Sequence, residues 1–168
     1  MTKEEQQQQL GRRLFITGVI IAVSILVFDQ ATKWWILYEV MQPPRSIEVT
    51  SFFNIVLAWN RGVSFGMFSS ANEYGPYLLT GLALLIVVAL GVWLYKVETR
   101  VTALALGLII GGALGNVIDR VQFGAVVDFL DFHMMGYHWP AFNVADSGIC
   151  IGAAMLILES LFQPGKSS

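Results

Sequence analysis

The chain alternates long apolar stretches with shorter polar ones, and four of the apolar stretches approach the length a bilayer demands. They run from Leu14 to about Trp35, from Tyr77 to Tyr95, from Val101 to Ile118 and from Pro140 to Phe162, each near the roughly 20 residues that cross a hydrocarbon core. In lipid a lone segment must satisfy its own backbone groups, so all four are expected to be helices. Between the first and second, Ser46–Trp59 is rich in β-branched and aromatic residues and predicts short strands. Met1–Gly11 is polar and Gln-rich, with too little apolar surface to order itself, and reads as a flexible tail. A further segment, Val121–Trp139, joins helix three to helix four. The expected fold is an all-α membrane protein, one integral membrane domain over residues 1–168. It has four transmembrane helices and a small extracytoplasmic β-sheet between helices one and two.

Composition agrees: 55% of residues are hydrophobic and 13% charged, more apolar than a soluble domain. The net charge is −2 and the ten basic residues are dispersed, which excludes nucleic acid as an expected partner. The lone Cys150 offers neither a disulfide nor a thiolate metal site and reads as a packing residue. The first apolar stretch follows Arg12 and Arg13, with no small-residue cleavage pattern before Asp29, so it reads as a retained helix. Lys3, Arg12, Arg13, Lys96, Arg100 and Lys166 fall on one side; Lys33, Arg45, Arg61 and Arg120 fall on the other. The tail and the tight turn between helices two and three carry the basic excess and place both termini in the cytoplasm. Trp34, Trp35, Tyr77 and Trp139 then mark the outer interface.

At 1.5 Å per residue, Asp29 and Asn116 each lie roughly 22 Å from the cytoplasmic start of their helices, and Asp146 lies roughly 9 Å below the outer end of helix four. Three helices thus place polar groups at one depth, where each would cost a few kcal/mol without a partner or a wet cavity. Asp29/Lys33, Asn116/Arg120 and Asn143/Asp146 sit three or four residues apart, so each pair shares a helix face. Gly107, Gly111, Gly112 and Gly115 form a small-residue row that suits close packing, with Gly112 also able to leave room for a substrate.

Hydrolytic chemistry is narrowed by what the chain lacks. There is no H-E-x-x-H and no G-x-S-x-G, and Ser24 and Ser147 have no histidine nearby in sequence. His133 and His138, beside Asp131, read as loop-surface residues with a metal site as the alternative. No cofactor is implied. Among the carboxylates, Asp29 has Lys33 one turn away and Asp119 adjoins Arg120, so these read as ion-pair members. Asp128 and Asp146 have no local cation and sit in apolar runs. Brought together at an apolar site, such a pair would share one proton.

Five stretches then become familiar: D-Q-A-T-K (Asp29–Lys33), W-N-R-G-V-S-F-G (Trp59–Gly66), G-G-A-L-G-N-V-I-D-R (Gly111–Arg120), V-V-D-F (Val126–Phe129) and F-N-V-A-D-S (Phe142–Ser147). In this order the chain resembles the bacterial lipoprotein signal peptidases, signal peptidase II, over roughly Asp29–Glu159. The resemblance implies an aspartyl endopeptidase of the bacterial inner membrane with its site towards the periplasmic face. Such an enzyme cuts prolipoproteins just before a diacylglyceryl-modified cysteine. It implies Asp128 and Asp146 as the catalytic pair. Asn60, Gly112, Asn116, Arg120 and Asn143 match positions that contact substrate or the cyclic peptide inhibitor globomycin, with Asp29 and Lys33 supporting them. The second motif departs from the usual Y-N-x-G-A-A-F: Trp59 replaces the tyrosine, and Val63 and Ser64 replace the alanines. A monomer among membrane lipids is expected. Two rivals predict otherwise. A proton-coupled transporter would place its polar level at the midplane between repeated halves, and a noncatalytic scaffold would lose stability, not turnover, when its aspartates are replaced.

Overall fold

A computed structural model describes residues 2–62 and 75–162. Helix α1 (Lys3–Trp35) continues into a wider π turn over Ile36–Val40, followed by β1 (Ile47–Thr50) and β2 (Phe53–Asn60). Then come α2 (Gly75–Tyr95), α3 (Arg100–Phe123), β3 (Val126–Met134), β4 (Tyr137–His138) and α4 (Val144–Phe162). All four α-helices are long and apolar enough to cross a membrane.

Helix α3 is the centre of the bundle. In its most apolar stretch 61% of the residues are buried, against 6% in α2 and 17% in α4, so the other helices turn apolar surface outward as lipid requires. Its small residues make this possible. A Cβ added at Gly111 would strike the Ala22 carbonyl of α1, and one at Gly112 would strike the Ala145 carbonyl of α4. Backbones therefore meet on both sides of one helix, the close approach that small-residue rows allow in membranes. The Cβ side of Gly112 is thus taken up by packing against α4. Thr99 caps the start of α3 by accepting from the Thr102 amide, and Gly124 ends it with φ +68°.

Several elements differ from the sequence reading. The polar tail is helical from Lys3, because Thr2 and Glu5 form a reciprocal capping box and the Glu- and Gln-rich turns extend a helix already begun in the apolar span. The sheet is larger than expected. It has four antiparallel strands in the order β1-β2-β3-β4, so half of it comes from the connection between α3 and α4. V-V-D-F-L-D-F-H-M carries the β-branched and aromatic residues of a strand, and only its pairing with β2 reveals it. Helix four begins at Val144 and not at Pro140, because Phe142 is drawn into a bridge with Leu130 of β3. Cys150 is exposed on α4 and packs no core. Trp34, Trp35, Tyr77 and Trp139 are all exposed, as an interfacial belt requires.

Candidate active site

The polar groups converge where α1 and α3 end and α4 begins. On α1, Asp29 and Lys33 share a fully buried face. The Lys33 ammonium touches Asp29 Oδ2 and Asp119 Oδ2, each at 2.8 Å, and donates to Asn116 Oδ1 at 3.0 Å. Its three N–H donors are thereby all used. Asp119 thus pairs with Lys33 and not with its neighbour Arg120, because residues adjacent on a helix point to different faces. Gln30 points its amide inward, donating to Asp119 Oδ1 at 2.9 Å, and to Asp29 Oδ2 and the Gly115 carbonyl at 3.2 Å.

The first turn of α4 is built around Asn143. Its Oδ1 accepts from the Asp146 amide at 2.9 Å while its own amide donates to Asp146 Oδ2 at 3.2 Å, the two halves of a capping box. Asp29 Oδ1 takes the next orphan donor, the Ala145 amide, at 2.9 Å. The other Asp146 oxygen accepts from Asn116 Nδ2 at 2.8 Å. Asp146 therefore owes its position to α4's own cap and to a side chain of α3.

Asp128 comes from the sheet. Asn60 stands opposite Val126 and Ala58 opposite Asp128, so Asn60 and Asp128 are diagonal neighbours across two strands. Asn60 Nδ2 donates to Asp128 Oδ2 at 3.0 Å, and its Oδ1 is held by the Gly62 amide at 3.2 Å. Asn143 Nδ2 donates to Asp128 Oδ1 at 2.7 Å, and also lies 3.2 Å from both Asn116 Oδ1 and the Val127 carbonyl. Asp119 Oδ2 accepts from the Val127 amide at 3.0 Å and so anchors the start of β3. Asp128 is only 2% exposed. Burial above all, and then the negative charge of Asp146, push its carboxyl from 3.8 up to about 7, while Asn60 and Asn143 pull the other way. Among the described residues no ammonium or guanidinium pairs with either Asp128 or Asp146.

Arg120 stands at the edge of the cluster. Nη1 donates to the Asn116 carbonyl at 3.4 Å, and Nε is buried with no hydrogen-bond partner among the described residues. Of the residues expected at the site, Asn60, Asn116, Asn143, Asp128 and Asp146 join in one hydrogen-bonded cluster, with Asp29 and Lys33 behind it. Val63 and Ser64 of the second motif lie outside the described residues. Gln30 and the linking role of Asp119 escaped the sequence reading, although Gln30 lies inside D-Q-A-T-K. His133 and His138 are not loop residues. They stack 4.9 Å apart on β3 and β4, with His138 Nδ1 2.9 Å from Asp131 and Asn54 donating to Asp131 at 3.0 Å.

Four helices of spanning length around a buried cluster of carboxylates, amides and one ammonium define a multi-pass membrane protein with a polar centre at one end of its bundle. Residues 21–162 match the family described as Signal peptidase (SPase) II. A lipoprotein signal peptidase from Methylobacterium sp. (strain 4-46) is 44% identical over 155 residues, 92% of this chain and 94% of that one. Another, from Ralstonia nicotianae, is 49% identical over 143 residues, 84% and 82% of the two chains. A solved structure described as a bacterial membrane enzyme, determined by the in meso method at 2.3 Å, superposes with a TM-score of 0.77 at 35% identity. The superposition covers 90% of this chain and 92% of that one. The chain belongs to the signal peptidase II family, and it is a protease.

Proposed function

We propose that this protease removes signal peptides from prolipoproteins, cutting just before the diacylglyceryl-modified cysteine, with Asp128 and Asp146 as its catalytic pair. The observation that carries the reading is that two carboxylates from different elements, neither in an ion pair among the described residues, both accept from Asn143, Asp128 from its side-chain amide and Asp146 from its backbone amide. A carboxyl raised to about 7 is divided between its two forms near neutral pH, as shared-proton catalysis needs. The ionised aspartate takes a proton from a water held between the pair, and the protonated one polarises the scissile carbonyl. The hydroxide equivalent adds to the carbonyl carbon; the proton then passes to the leaving nitrogen as the C–N bond breaks.

Around this pair Asn60, Asn116 and Asn143 orient the carboxylates, and Arg120, whose Nε has no hydrogen-bond partner among the described residues, faces the substrate backbone or a lipid phosphate. Globomycin would bind at the same residues. The basic excess on the tail and on the α2–α3 turn supports cytoplasmic termini, with the sheet and the polar centre at the periplasmic face of the inner membrane. The protein acts as a single peptidase unit, a monomer among membrane lipids.

The test is to incubate purified protein with a diacylglyceryl-modified precursor and weigh the released peptide. Cleavage before the modified cysteine is expected, with turnover abolished in Asp128→Asn and in Asp146→Asn. Near-parental cleavage by either variant defeats the pair.

A further inference from the structure

Each of the two carboxylates bound by Lys33 also holds one backbone amide, and both amides belong to residues that immediately precede the proposed catalytic aspartates. Asp119 Oδ2 holds the amide of Val127, next to Asp128, at 3.0 Å; Asp29 Oδ1 holds the amide of Ala145, next to Asp146, at 2.9 Å. We propose that Lys33 is a positioning residue that sets the separation of Asp128 and Asp146, acting through Asp119 on one backbone and through Asp29 on the other. The proposal rests on the reading of these two aspartates as the reacting pair.

One peptide unit separates each held amide from its aspartate, about 3.8 Å between Cα atoms, so a displaced carboxylate shifts the neighbouring side chain almost in full. The third donor of Lys33 makes a third arm. It goes to Asn116 Oδ1, and the Nδ2 of that amide holds Asp146 Oδ1 at 2.8 Å. All three arms leave one nitrogen atom, so moving it moves both aspartates relative to each other. Lysine suits the task because an ammonium offers three donors in a pyramid, whereas a guanidinium presents a flat fork. Gln30 braces the same two carboxylates without charge, donating to Asp29 Oδ2 and Asp119 Oδ1. A role in neutralising buried charge alone would be met by any cation here; a role in spacing would not.

Full-length protein in detergent should be compared as parent, Lys33→Met, Lys33→Arg and Gln30→Leu, with Asp128→Asn alongside. The readouts are kcat and KM on a diacylglyceryl-modified precursor and residue-resolved amide exchange. Misplacement on the order of 1 Å costs about 100-fold in rate. Both Lys33 variants are accordingly expected to lose about that much kcat, and Gln30→Leu about tenfold, the range of an outer partner. KM should move less than about threefold, since the interaction matters in the transition state. Exchange at Val127 and Ala145 should accelerate while Ala103 and Leu106, buried in the lower half of α3, keep their protection. Parental kcat in Lys33→Arg, or uniform loosening of α3 and α4, overturns the proposal. If Lys33→Met does not fold, Gln30→Leu carries the same test, and unchanged kcat with unchanged exchange at both amides overturns it. Parental turnover in Asp128→Asn sinks the catalytic pair instead, and the exchange data then show separately whether Lys33 holds the two amides.

Discussion

Asn143 donates its side-chain amide to Asp128 Oδ1 at 2.7 Å, and through its Oδ1 and its own amide it forms the cap that places Asp146. One side chain therefore has two duties, and substitution can separate them. Asn143→Ala loses both: about 1 kcal/mol or more of stability from the cap, and at least tenfold in kcat. Asn143→Asp keeps a capping oxygen but replaces the donor to Asp128 by a carboxylate, so turnover is expected to be lost and the stability cost comes from repulsion and the missing donor, not from the cap. Thermal melts and turnover of the two variants check the separation; equal activity in both would contradict it.

Stability should depend on pH through Asp128. A carboxyl raised on folding from 3.8 to about 7 binds its proton more tightly in the folded chain. Its contribution is therefore fully present below the ordinary carboxylate range and is lost as pH rises through about 7. Asp128→Asn cannot ionise and removes that loss. The variant is expected to melt higher than the parent at pH 8, by an amount on the order of a few kcal/mol at most, and the advantage should vanish near pH 4. Melting curves across this range decide it.

Glycine replacements should divide by helix. At Gly112 an added Cβ meets the Ala145 carbonyl, backbone that cannot swing aside, and Ala145 adjoins Asp146. Gly112→Ala is expected to cost about 1–3 kcal/mol through overpacking and to lower kcat as well. At Gly81 and Gly91 of α2 an added Cβ meets nothing within 4 Å. Alanine there should be neutral or stabilise by up to about 1 kcal/mol, with turnover unchanged.

At the far end of α3, Thr99 and Thr102 both donate hydroxyls to Glu159 of α4. Thr102→Val removes one of the donors to the Glu159 carboxylate and is expected to cost about 1–3 kcal/mol. Because this contact lies a helix length from Asp128, kcat of the folded variant should stay within about twofold of the parent, as expected for independent sites. A larger fall in kcat would show that the two ends of the bundle are coupled.

Much of this protein follows from local rules. Lipid leaves a long apolar segment no choice but a helix, so the four spans could be read from Leu14, Tyr77, Val101 and Pro140 onward, with errors confined to their ends. Helical periodicity put Asp29 with Lys33 and Asn143 with Asp146, and both contacts exist. What the sequence by itself determined is therefore the spans, the polar level and the shortlist of carboxylates. Tertiary structure decided the rest, because those choices depend on partners distant in the chain. β3 becomes a strand through β2, Asp119 finds Lys33 across 86 positions and not the adjacent Arg120, and Asp128 and Asp146 come together through Asn143. A buried polar group must be satisfied by whatever the fold brings within about 3 Å, and sequence spacing is silent about which residue that will be.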